Sequence, residues 1–374
     1  MRKTAPIRLL VLQTTPFCNI DCSYCYVPGR STKARMADDI LTGIAENILL
    51  PEFVGEEILV SWHSGEPLTL PHSYYRNALG LLSRHRLPRL RIKQHFQTNG
   101  TRITEEWVRF FHEVGASVSV SIDGPKECHD RRRVYRSGKG THDAAMRGIQ
   151  LLREGGIYPS VICVLTEYSL RNPALVFDFF EQNGFETISF NIEETVGSNK
   201  TLSHAEDEFS KFLDSYMRLC ARQRSRQQLR GVNQIADKLF HKRATGRFGS
   251  LVTPFDHLSV DVQGNYWTYS PELGLHEHGS RFFLGNCRST AISDAARSPS
   301  FLSLKAEVDL GVALCRMNCN YFDICGGGSP AHKFAELGCI SGTETHFCRA
   351  NIKSVTDVLT AHMFGNPYET TEQG

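Results

Sequence analysis

The sequence has almost no net charge, no long hydrophobic run and no internal repeat or low-complexity tract. Its 42 Lys and Arg against 40 Asp and Glu leave a formal charge of +2 over 374 residues. That is too little for a dedicated nucleic-acid binder. Local basic clusters at 83–93, 131–133 and 218–230 read as solvated helix faces, with docking of an acidic peptide as the other explanation. No stretch is apolar enough to span a membrane. The six-residue apolar run near the N-terminus is too short for the hydrophobic region of a signal peptide, so the expected location is cytoplasmic. In that compartment the 12 cysteines are not expected to form disulfides. Those that bunch are better explained as ligands of a metal or cluster.

What is present is an ordinary globular composition, 41% hydrophobic and 22% charged, enough for one large or two modest domains. The first half alternates strand-like segments (7–13, 57–62, 91–97, 116–122, 158–164, 186–192) with helix-like ones (35–48, 72–86, 104–114, 141–154, 173–182). That alternation predicts an α/β fold with a parallel sheet and right-handed crossovers, an open or partial (β/α) barrel whose ligands gather at the carboxyl ends of the strands. Residues 1–200 form this unit, 201–250 a charged helical bridge, and 251–374 a segment of different texture. The last segment has hairpin-like strands, a Cys- and Gly-rich stretch and a closing helix near 350–363. It shows little apolar periodicity, so a metal centre is expected to help hold it.

The chemistry is concentrated in cysteine spacing. Cys18, Cys22 and Cys25, with Tyr24 before the third, form CNIDCSYC directly after the first strand. Three thiolates on one loop can hold three irons of a [4Fe–4S] cube and leave the fourth open to another ligand. Zinc would need a fourth ligand nearby, and none completes a tetrahedron. The run resembles the signature of the radical SAM enzymes, in which the cluster cleaves S-adenosylmethionine (SAM) to a 5′-deoxyadenosyl radical. Such enzymes carry a Gly-Gly-Glu-Pro turn after the second strand, and here Ser64, Gly65, Glu66 and Pro67 stand there. The exchange of one Gly for Ser64 fits if that residue avoids a positive φ. The turns QTNG (97–100) and SIDGP (121–125), followed by HDRRR (129–133), resemble the SAM contacts of anaerobic sulfatase-maturing enzymes and peptide maturases. The resemblance implies SAM-binding roles for Tyr24, Gly65, Glu66, Thr98, Asn99, Ser121, Asp123 and Arg133. Ser121 and Asp123 would meet the ribose, and Arg133 would fork onto the SAM carboxylate.

Near the C-terminus Cys315, Cys319 and Cys325, then a GGGSP turn and Cys348, resemble the auxiliary-cluster domain called SPASM. Its usual seven cysteines hold two further [4Fe–4S] clusters. Here Tyr269 and Ser329 occupy places where the first of those clusters takes cysteines, so one auxiliary [4Fe–4S] cluster is expected. A four-cysteine zinc knuckle is the other reading of this set. Cys128, Cys163, Cys220, Cys287 and Cys339 fit no pattern and read as small apolar side chains.

Nearly the whole chain thus resembles a radical SAM/SPASM maturase of ribosomally made peptides, a partial (β/α)6 TIM-like barrel followed by a small auxiliary iron–sulfur domain. Segments 269–274, 283–287, 325–338 and 343–359 look most like the cyclophane-forming group that acts on glycine-rich-repeat precursors. The resemblance implies removal of a side-chain β-hydrogen and a C–C crosslink to an aromatic ring. Its partners would be a precursor peptide with its leader and an electron donor such as flavodoxin or ferredoxin. Glu272 is the candidate base for the ring proton, a surface Glu on a turn being the alternative. The other readings are formylglycine formation from Ser or Cys, another SPASM thioether or peptide crosslink, and a zinc-stabilised binding module without catalysis.

Overall fold

Six strands lie side by side in sequence order, all parallel: β1 (Ile7–Leu12), β2 (Val54–Trp62), β3 (Arg91–Thr98), β4 (Ser117–Ser121), β5 (Ser160–Leu165) and β6 (Thr187–Ile192). This computed structural model describes residues 7–84, 87–194, 207–240, 250–275 and 278–365. Helices such as His72–Leu82, Glu105–Glu113, His142–Glu154 and Pro173–Gln182 connect the strands. The expected boundaries fall within a few residues of these. The fold is a six-stranded parallel α/β unit with the strand order expected of a partial barrel.

Local chemistry explains the pieces. The helix Glu105–Glu113 begins where the Thr104 hydroxyl accepts the Trp107 amide, with Glu105 and Glu106 in its first turn, as N-terminal caps and the helix dipole favour. Its inner face buries Trp107, Phe110 and Phe111. These rings meet Phe96 of β3 at centroid distances of 5.2 to 6.2 Å, mostly edge-on or tilted. Each fully buried side chain of this kind contributes about 1.5–3 kcal/mol.

The sheet does not stop at the six strands. β7 (Gln228–Leu229) extends it past β6, while β8 (His257–Val260) runs parallel to β1 on the other edge. β9 (Asn265–Thr268) and β10 (Gly285–Asn286) then add in antiparallel fashion. The C-terminal hairpin thus continues the barrel sheet, and one hydrophobic core runs from Ile7 through Phe255, Phe301 and Leu359. The segment expected to have little core of its own is thus packed into the core of the sheet. Its apolar side chains pack into a shared core, and the helix Pro299–Asn318 buries Phe301, Leu304, Val308, Gly311 and Cys315 along one side while Leu302, Leu310 and Met317 stay exposed. Of the helical bridge expected over 201–250, helices Glu208–Gln223 and Arg230–Phe240 are described. Residues 201–206 and 241–249, like 85–86 at the end of one expected helix, lie outside the described residues. No described helix is long and apolar enough to cross a membrane.

Candidate active site

The cysteine loop leaves the carboxyl end of β1 and is braced by the segment that follows β4. Asp21 N donates to Val134 O at 2.7 Å and Ser23 N to Arg132 O at 3.0 Å. The Arg136 guanidinium caps Cys18 O at 3.2 Å and Arg30 O at 2.6 Å. These bonds hold Cys18, Cys22 and Cys25 on one loop. Burial pushes the Cys18 thiol up to about 11 and Cys22 up to about 12, and charge on the other cysteines of the loop pushes the same way. Three thiolates there need a positively charged group among them, which is what an iron–sulfur cluster offers.

The turn after β2 locks onto this loop. Glu66 N donates to Phe17 O at 2.8 Å. The Glu66 carboxylate accepts from Leu68 N at 2.9 Å, Thr98 Oγ1 at 2.7 Å and Asn99 N at 2.7 Å. Burial pushes the Glu66 carboxyl up, and those three donors oppose it. Asn99 Nδ2 reaches Asn19 Oδ1 at 2.9 Å and lies 3.8 Å from Cys18 Sγ. Glu66, Thr98 and Asn99 are therefore tied to each other and to the cysteine loop.

Gly65 has φ +79°, and a Cβ on it would stand 2.3 Å from Thr15 O and 2.9 Å from Phe17 O. We expect Gly65→Ala to displace the loop and abolish SAM binding, a loss that equilibrium dialysis with SAM would register; wild-type affinity would contradict this packing. Ser64 also has a positive φ, 70°, so the condition under which the exchange of Gly for Ser64 is expected to fit is not met. It is buried, and the left-handed conformation costs a non-glycine residue about 1–2 kcal/mol. The neighbouring contacts of Gly65 and Glu66 fix that geometry.

A second knot joins the ends of β4 and β5. Asp123 accepts the Tyr24 hydroxyl and, at 2.9 Å, Arg133 Nε on one oxygen, and Val164 N at 3.0 Å on the other. Arg133 Nη1 lies 3.7 Å from Cys22 Sγ, and its guanidinium sits 5.4 Å over the Tyr24 ring. Burial works against the Arg133 charge, yet Asp123, Tyr24 and Cys22 outweigh it and hold its pKa well above the usual value. Asp123 N donates to His129 Nδ1 at 3.2 Å, and His129 Nε2 faces Thr141 Oγ1 at 3.0 Å. Ser121 accepts from Gln97 Nε2 at 3.0 Å. Tyr24, Ser121, Asp123 and Arg133 thus gather at the strand ends, with Asp123 and Arg133 bonded to each other.

Cys315, Cys319, Cys325 and Cys348 line one recess together with Gly327, Gly328 and Thr343. The buried Lys333 ammonium reaches Cys315 Sγ at 3.5 Å. Among the described residues no three Cys, His, Asp or Glu side chains converge on a point that suits one metal ion. Tyr269 is fully buried at φ +79°. Its hydroxyl and that of Ser329 are buried without a hydrogen-bond partner among the described residues. Cys128, Cys163 and Cys287 are buried and Cys220 and Cys339 half-buried.

Glu272 lies half-buried on the short helix Pro271–Leu275. Burial pushes its carboxyl up, His332 opposes this, and Glu194 adds to it. Tyr26, one residue past Cys25, is raised well above its usual pKa by burial and by the charges of Glu272, Cys25 and Glu194. Its hydroxyl approaches His63 Nε2 at 3.5 Å, and burial lowers His63 to about 4. Glu194, His332, Tyr26 and His63 were absent from the sequence-based set. Only their proximity in the fold reveals them, because no local spacing links residues so far apart.

The model of the radical SAM superfamily matches residues 12–179. An uncharacterised protein of Synechocystis sp. is 33% identical over 95% of this chain and 91% of its own length. The chain belongs to the radical SAM superfamily. It is also 26% identical to a serine-type anaerobic sulfatase-maturating enzyme of Klebsiella aerogenes, over 88% of this chain and 81% of that one. Among solved structures, native anSMEcpe with bound AdoMet superposes at TM-score 0.79 and 20% identity, covering 96% of this chain and 98% of the other. Streptococcus suis SuiB bound to its precursor peptide SuiA gives TM-score 0.64 at 12% identity, covering 90% and 75%. At those identities the likeness is one of fold.

Proposed function

We propose that this protein is a radical SAM maturase that forms a C–C crosslink in a ribosomally made precursor peptide. It would join a side-chain β-carbon to an aromatic ring. The observation that carries this reading is that buried Tyr269 and Ser329 stand where the resemblance expects cysteines of a first auxiliary cluster, with Glu272 near enough for its charge to act on Tyr26. Cys18, Cys22 and Cys25 would hold the SAM-binding [4Fe–4S] cluster, and Cys315, Cys319, Cys325 and Cys348 one auxiliary cluster. Bound there, the clusters and SAM supply a hydrogen-abstracting deoxyadenosyl radical and one-electron redox capacity.

The chain's own residues supply position and proton transfer. Glu66, held by Leu68, Thr98 and Asn99, presents the β2 turn to the SAM amino group. Arg133 and Asp123 order the Tyr24 side of the same pocket and offer charge to the SAM carboxylate and ribose. Glu272 accepts the ring proton at a carboxylate oxygen, which restores aromaticity after one electron has left. A peptide leader and a small electron donor such as flavodoxin or ferredoxin complete the system. The division into a barrel (1–200), a bridge (201–250) and an auxiliary domain (251–374) assigns these tasks along the chain.

Formylglycine formation is the second reading, favoured by similarity to a serine-type sulfatase-maturating enzyme over most of the chain. The product separates the two. With the cognate precursor, a crosslink removes two hydrogens and lowers the peptide mass by about 2 Da per turnover. Tandem mass spectrometry should place the loss in a ring that resists fragmentation, and deuterium from the β-carbon should appear in 5′-deoxyadenosine. An aldehyde trapped by hydrazine, or label arriving from the α-carbon, would overturn the crosslinking reading. Reconstituted protein should carry about eight irons, whereas about four with one zinc would mark a zinc knuckle.

A further inference from the structure

His332 stands on the helix Pro330–Leu337, which packs against the helix that carries Glu272. Its Nε2 meets Glu194 Oε2 at 2.9 Å. Its ring stacks on Phe347 at 3.7 Å with an interplanar angle of 19°. The imidazole is buried, and its Nδ1 has no hydrogen-bond partner among the described residues. A ring clamped on one edge and one face has one orientation left to it. Glu194 follows β6 at the carboxyl end of the barrel, so the clamp reaches from the barrel to the C-terminal region.

We propose that His332, held by Glu194 and Phe347, is the positioning residue that keeps Glu272 ionised and ready to take the substrate proton. This rests on the reading of Glu272 as proton acceptor. Two carboxylates in one partly dehydrated neighbourhood cannot both stay ionised without a cation. The groups facing His332 are Glu194 after β6, Glu272 on the short helix, and Glu336 on its own helix. Those facing Glu272 are His332, Glu194 and Ser270, with Tyr26 from the cysteine loop. Burial alone would discharge His332, but the carboxylates outweigh it and raise its pKa above the ordinary value. An imidazolium there lowers the Glu272 carboxyl, so its loss raises that group and delays ionisation to higher pH.

The test measures peptide product per 5′-deoxyadenosine released, across pH, in reconstituted holoenzyme with its precursor peptide. In His332→Gln the acid limb of the ratio should move up by about one pH unit, the lower end of the shift expected from a charge at close range, so that the ratio falls by up to about tenfold along that limb and recovers on the alkaline side. His332→Arg, which keeps a cation, should restore the wild-type limb. A limb that does not move in His332→Gln, or that moves equally in Gln and Arg, would overturn the proposal. Should His332→Gln lose its iron, His332→Asn is read in the same way. A wild-type product without the 2 Da loss would instead overturn the crosslinking reading.

Discussion

Replacing Cys18, Cys22 and Cys25 together by Ala should abolish SAM cleavage and leave about four of about eight irons bound. The first effect follows from the donor set: these are the cysteines of the loop beyond β1, and Glu66, Asn99 and Arg133 gather around them. The second follows from distance in the fold. Cys315, Cys319, Cys325 and Cys348 belong to a separate recess with its own lining. The loop itself should keep its course, because its bracing runs through backbone groups of Asp21 and Ser23 rather than through sulfur. Anaerobic iron analysis with chromatographic detection of 5′-deoxyadenosine measures both effects. Cleavage that survived the triple change would place the SAM site elsewhere; loss of all the iron would mean that the two sites fold as one.

Much of this architecture was legible because turns and strands speak locally. Gly65-Glu66-Pro67, Thr98-Asn99-Gly100 and Asp123-Gly124-Pro125 are residue types that tight strand-to-helix turns require. Their order along the chain carried the family. Other features had no local voice. The helix Pro299–Asn318 buries Phe301, Leu304, Val308, Gly311 and Cys315 along one side, but Leu302, Leu310 and Met317 on its exposed side blur the period that a sequence reading depends on. Ser64 gave no sign of its positive φ, since that conformation is imposed by Gly65 and Glu66 packing on the cysteine loop. The Glu194–His332 pair spans 138 residues, and only the meeting of β6 with the C-terminal helices creates it. Glu66 was read as a ligand for SAM. Its three internal donors make it equally a brace between two turns, a role visible only once β2 and β3 stand side by side.

Arg133→Met should destabilise the protein by about 3–5 kcal/mol, the cost of stripping one partner from a buried ion pair. Both side chains of the pair are nearly inaccessible, Arg133 at 8% and Asp123 at 3% exposure, so water cannot replace the lost guanidinium. The companion change Asp123→Leu would normally relieve such a defect, because an apolar pair of similar volume is often neutral. Here it should not. Asp123 also accepts Val164 N and the Tyr24 hydroxyl, and each donor left buried and unmet costs a further about 1–3 kcal/mol. The double variant should therefore be no more stable than Arg133→Met. Denaturant midpoints of the reconstituted proteins, read with SAM affinity, give the answer. SAM binding should fall in step, since Tyr24 and the Cys22 thiol lose the cation that orders them. A single variant within about 1 kcal/mol of wild type would show that the pair is not the buried brace its exposure implies. A double variant that recovers full stability would show that Val164 and Tyr24 find other acceptors.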